Sequence, residues 1–287
     1  MLKDREQLLA EGSIPPEILS GILTGIRPEK VFCFGVRTNV AEAWSCFLPD
    51  NEREGATCYD LLILTAPNEK RPHHELLNMA EALNTKTLQV NALVHNAVSV
   101  REAIYAGNAF FAAVCTKGQL LYDDESISFK MAAGDYCSTG SLCVNHADWT
   151  KRFGLARKFL AGASHFFCRG WNDMSAFMLH QATEHTCIAL TRAITGYRPN
   201  THNLTRLIRL MHNFDPFGLP IFPRDTKEEI ILFNILSRAY SEARYKESYW
   251  VTSREIAILI DRVTDFQNRA EGLYRERARE TLVTVKS

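Results

Sequence analysis

The chain has 287 residues, 46% of them hydrophobic and 23% charged, the proportions of a globular protein with room for two domains. No run of 18 or more apolar residues occurs, so no helical membrane span is expected. Net charge is zero, yet residues 1–146 hold 12 basic and 18 acidic side chains and the remainder 21 and 15. Such opposed halves suit docking on each other or on a second copy, or an anionic ligand on the basic half. The N-terminal segment is charged, shows helical spacing and has no apolar core of a secretory signal. Its eight cysteines include no C-x-x-C pair, which points to reduced thiols in a cytoplasmic setting.

In chain order, Ile18, Leu19, Ile22, Leu23 and Ile26 have helical spacing, and Pro28 ends that segment. "KVFCFG" reads as a buried strand ending at Gly35, and "CYDLLILT" as a second strand between Gly55 and Pro67. A helical pattern over 72–84 follows, with His73 and His74 in its solvated entry. "TLQVNALVH" is a third strand, "VREAIYAGNAFFAAVC" one helix holding a glycine, and "GQLLYD" a last strand. Residues 1–125 thus read as an α+β domain and 126–148 as a Ser-, Gly- and Asp-rich linker.

From 149 to 280 no strand is expected, and a tail covers 281–287. Helical patterns over 149–169, 173–195, 203–213, 226–245 and 253–279 give an all-α up-and-down bundle. Thr226 with Glu229 has the form of a capping box, Asp225 is an alternative cap, and Ser253 is a cap without a box. Trp149, Phe166, Phe167 and Trp171 are expected in the core rather than as a base-stacking platform.

His180, Gln181 and Glu184 cluster on one helix face. They do not form a metal site, because the spacing H-x-x-x-E-H is one residue longer than a zinc-binding helix requires. His180 and His185 fall about 140° apart around the helix. A buried carboxylate needs partners, and Arg244, Arg192 and His202 are the candidates.

His180-Gln181-Ala182-Thr183-Glu184, Thr201-His202-Asn203-Leu204 and Arg244-Tyr245 occur in this order, and together they resemble the HEPN domain over about residues 149–280. The resemblance implies a nucleotide- or RNA-phosphate site at Arg244, Lys246, His180, Glu184 and His202. It also implies pairing of two copies through the bundle, and a regulatory or defence role of toxin–antitoxin type. Ribonuclease members carry a histidine a few residues after the arginine; here Tyr249 stands in that place. A phenol with a pKa of about 10 is a poor proton shuttle at neutral pH. Binding without catalysis is therefore expected. The alternatives are a metal-independent ribonuclease using Tyr249, His202 or His180, and a structural adaptor.

The first half resembles the minimal nucleotidyltransferase domain. The strand, "FGVRTN", a strand with Asp60 and a third strand with Asn91 carry that likeness. An active member has Gly-Ser on the first turn and three carboxylates for two Mg²⁺ ions. Here Gly35 precedes Val36, the paired-carboxylate position reads Cys58-Tyr59-Asp60, and Asn91 replaces the third. The domain is expected to be inactive, with no cofactor. Gly35 is left as a weak nucleotide contact and Asp60 as a remnant metal ligand.

Overall fold

The computed structural model describes residues 14–38, 42–45, 57–85, 87–127, 146–214, 222–224 and 226–284. The charged segment 1–13, Asp225, the segment 215–221 and most of the residues read as a linker fall outside them. The chain divides into two compact units, Met1–Gly140 and Ser141–Ser287.

The first unit runs α1 (Pro16–Ile26), β1 (Lys30–Thr38), β2 (Glu42–Ser45), β3 (Thr57–Thr65), α2 (His73–Glu81), β4 (Leu88–Asn96), α3 (Ala97–Tyr105), α4 (Ala109–Lys117) and β5 (Gln119–Asp123). The strands form one mixed sheet. β3 lies between β1, antiparallel to it, and β4, parallel to it. β2 and β5 share the other edge of β1. β3 is buried from Tyr59 to Thr65, as a central strand covered on both faces must be. On one face Ile18, Ile22 and Ile26 of α1 and Leu76 of α2 meet Val31, Leu61 and Ile63. On the other, Phe34 meets Phe110 edge-on at 5.7 Å between ring centres, and His95 meets Phe111 at 5.1 Å.

Three expectations need correction. β1 does not end at Gly35. It continues to Thr38 through a bulge between Cys33 and Gly35, so Gly35 lies inside a paired strand and forms no phosphate turn. The extra residue also changes which face the strand presents afterwards. Phe34 points away from α1, and Arg37 falls on the same side. Without the bulge, Arg37 would point into the apolar layer under α1. Second, the helix holding a glycine is two helices. Gly107, at φ +83°, breaks the chain, and Asn108 restarts it by accepting from the Phe111 N–H at 3.2 Å. Third, β2 carries no strand pattern that sequence reading picked out. Asn96 is a second cap, accepting from Val98 and Ser99 at 3.0 and 3.2 Å.

His95 has a measurable consequence. Burial, aided by His73, depresses its pKa from 6.5 to about 4. The unfolded chain takes up this proton below pH 6.5 and the folded chain resists it until about pH 4, so stability falls as pH drops through that window. A loss of about 2–3 kcal/mol is expected, after discounting for partial exposure. Denaturation curves at pH 7 and pH 4 check it: His95→Gln is expected to flatten the difference.

The second unit consists of α5 (His146–Cys168), α6 (Asn172–Thr195), α7 (Leu204–Met211), α8 (Lys227–Glu242) and α9 (Ser253–Thr284), with no strand among the described residues. α6 is the central helix, packed against the other four. Its small residues, including Ala182, Ala189 and Ala193, are fully buried and let neighbours approach closely. The box at Thr226 forms, with Glu229 N–H on Thr226 Oγ1 at 3.2 Å and Thr226 N–H on Glu229 Oε2 at 3.1 Å. At α9 the cap is Thr252 rather than Ser253. Thr252 and Glu255 make a second box, at 2.8 and 3.1 Å, one residue before the expected position.

Candidate functional site

The polar face of the second unit is built where α6, α7 and α8 meet. His180 and Glu184 are one turn apart on α6, so their side chains share a face. Both are buried. His180 Nδ1 lies 3.0 Å from the Leu236 carbonyl oxygen. A carbonyl only accepts, so Nδ1 carries the hydrogen. Nε2 of the same ring lies 3.5 Å from Glu184 Oε2. Gln181 Nε2 donates to the same oxygen at 3.2 Å. The other carboxylate oxygen is 3.0 Å from Nδ1 of His202, just before α7. Burial works to raise the Glu184 pKa, but the contacts from His180 and His202 hold it below the usual carboxylate range. Glu184 therefore bridges a sealed imidazole and an exposed one, whose side chain is 59% accessible.

Tyr240 of α8 joins this bridge to Arg244. Its ring stacks on His202 at 4.4 Å and 12°, and lies 5.4 Å from His180. Arg244 Nε and Nη2 donate to the Tyr240 carbonyl at 2.9 and 2.6 Å, completing the open end of α8. The guanidinium carbon sits 4.6 Å from the Tyr240 ring centre and 4.9 Å from those of Phe177 and Tyr245. Arg244 is exposed and makes no ion pair among the described residues. It does not pair with Glu184. Arg192, another candidate partner, goes instead to Asp148 at 2.6 Å.

The remaining candidates stand apart. Lys246 pairs with Glu242 at 2.7 Å, and Arg238 with the same carboxylate at 2.5 Å. The Tyr249 hydroxyl donates to the Ile235 carbonyl at 3.0 Å, and burial pushes its pKa further up. Its proton is committed to the backbone, which removes it from proton shuttling. His180 is sealed and reaches any ligand only through Glu184. His185 stacks on Phe159 at 5.1 Å, away from the Glu184 bridge. Trp149 is core as expected, but Trp171 is 52% exposed. No group of three or more metal-ligating side chains occurs among the described residues. Sequence reading missed Tyr240, although the helix expected over 226–245 puts it on one face with Arg244, four residues on.

Residues 148–273 match the family model described as HEPN domain. The second unit thus carries a HEPN domain. No curated protein matches the chain. Among solved structures, the chain is similar to a nucleotidyltransferase-like protein from Exiguobacterium sibiricum 255-15. That likeness has 11% identity and a TM-score of 0.27, over 98% of this chain and 79% of that one.

Proposed function

We propose that the helical unit binds the phosphate of a nucleotide or of RNA, in a regulatory or defence role, with Arg244 as the anchoring cation. One observation carries this reading. The Arg244 guanidinium is exposed, free of carboxylate among the described residues, and fixed by its own backbone contact and three aromatic rings. A cation held in place in this way loses little rotamer entropy on meeting a phosphate. His202 is exposed beside the same Tyr240 ring and adds a donor.

One observation favours a catalytic second reading. Buried Glu184 holds Nδ1 of His202, leaving the other ring nitrogen turned away from the carboxylate. A carboxylate-oriented imidazole is a competent general base. Labelled single-stranded RNA and ATP, each with the full chain and EDTA, test both readings. Arg244→Ala is expected to weaken binding by about 10- to 100-fold, the worth of a charged hydrogen bond. If the wild-type chain binds neither probe, both readings fail. Cleavage that His202→Ala abolishes while binding persists would favour the catalytic one.

A further inference from the structure

We infer that the first unit supplies its own cation: the Arg37 guanidinium fills the point where Asp60, Asn91 and Cys58 converge, and this point takes no divalent metal. The resemblance to the minimal nucleotidyltransferase domain implies that these three positions are those of its metal ligands, so the fit of a metal can be tested on the geometry.

β1, β3 and β4 bring the group together. Asp60 on β3 is opposite Asn91 on β4 and opposite Gly35 on β1; Cys58 is opposite Arg37. Gly35 has no side chain, so Arg37 reaches Asp60 diagonally. Its Nη2 lies 3.0 Å from Asp60 Oδ1 and 2.7 Å from Oδ2. Asn91 Nδ2 donates to Oδ1 at 2.6 Å, and Cys58 Sγ is 3.6 Å from Arg37 Nη2. The Asp60 side chain is wholly inaccessible and that of Arg37 only 12% exposed.

A Mg²⁺ or Mn²⁺ ion does not fit this set. Such ions need several oxygen ligands around them. Among the described residues one carboxylate is present here, and it already faces the Arg37 guanidinium. The amide turns its NH₂ group to the carboxylate, which leaves a donor where a metal requires an acceptor. The third group is a thiol, a soft ligand unsuited to a hard cation. A metal would have to expel a buried guanidinium or lie against it, and like charges repel strongly away from water.

The full-length chain is titrated with Mn²⁺, bound ion is read by electron paramagnetic resonance, and thermal unfolding is followed with Mn²⁺ and with EDTA. No binding that Asp60→Asn abolishes is expected, and the unfolding midpoint should be the same in both. An Asp60-dependent ion at sub-millimolar Mn²⁺, or a midpoint raised by Mn²⁺ and lowered by EDTA, overturns the inference. Arg37→Lys supplies an independent arm. The ammonium keeps the charge and loses the planar fork, so this variant should fold with a lower midpoint than wild type. A midpoint unchanged in Arg37→Lys would show that the guanidinium does not hold the cluster, and would equally overturn it.

Discussion

Asp60→Ala is expected to lower the stability of the first unit by about 3–5 kcal/mol, because it leaves a largely buried guanidinium without its carboxylate. The size follows from the environment. Asp60 sits on the central strand with Arg37 and Asn91 as its partners. Burial works against the Arg37 charge, and Asp60 and Cys58 more than compensate, raising its pKa above the ordinary value. Without Asp60 the burial cost remains and the largest compensation is lost. Removing both charges is a different operation. Arg37→Met with Asp60→Leu replaces the pair with apolar groups, and most of the stability should return. Urea denaturation of the two single variants and the double variant forms a thermodynamic cycle. Additive losses would show that the pair is not coupled.

Trp149→Ala should cost the second unit about 3–5 kcal/mol, the usual range for deleting a buried aromatic. Trp149 is 5% exposed and sits in a stack. Its ring lies 4.3 Å from Phe153, at 14°, and 4.2 Å from Tyr274, at 7°. The stack clamps the start of α5 to α9. His146 extends it, with Nδ1 2.6 Å from the Tyr274 hydroxyl. Trp149→Ala therefore removes a large apolar area and two ring contacts together, each contact worth about 0.5–1.5 kcal/mol beyond area. Trp149→Phe should recover more than half of the loss. Equilibrium denaturation followed by helical circular dichroism reads both, and an alanine variant as stable as wild type would refute the clamp.

Much of this fold was legible because its elements are long or strongly patterned. The β3 run "CYDLLILT" is short and almost wholly apolar, as a central strand is, and the 24-residue α6 segment keeps helical spacing without a glycine or proline until Gly196. The family motifs follow in order on α6, at the entry to α7 and just past the end of α8, and His180 and His202 both contact Glu184. What was illegible depends on contacts between distant segments. Nothing local to Gly35 says that β1 continues through it. Pairing with β3 as far as Thr38 decides that. The break at Gly107 was hidden because "AFFAAVC" alone continues an apolar pattern; Asn108, as a cap, was the available signal. Which side chain meets Glu184 is likewise a matter of reach. His202 arrives from the α6–α7 connection, whereas Arg244 turns back onto its own helix end.

The bulge in β1 makes the charged centre of the first unit depend on chain parity as well as on residue type. An odd insertion in a strand exchanges inside and outside for everything beyond it. A homologue with Arg, Asp and Asn at matching places but one residue fewer before the arginine would bury that cation among isoleucines and leave the aspartate alone. Substitution at Arg37 or Asp60 removes a charge but leaves both positions on the same face; only a change in length moves Arg37 to the other one, and an alignment that ignores that single residue will pair the wrong faces of two sheets.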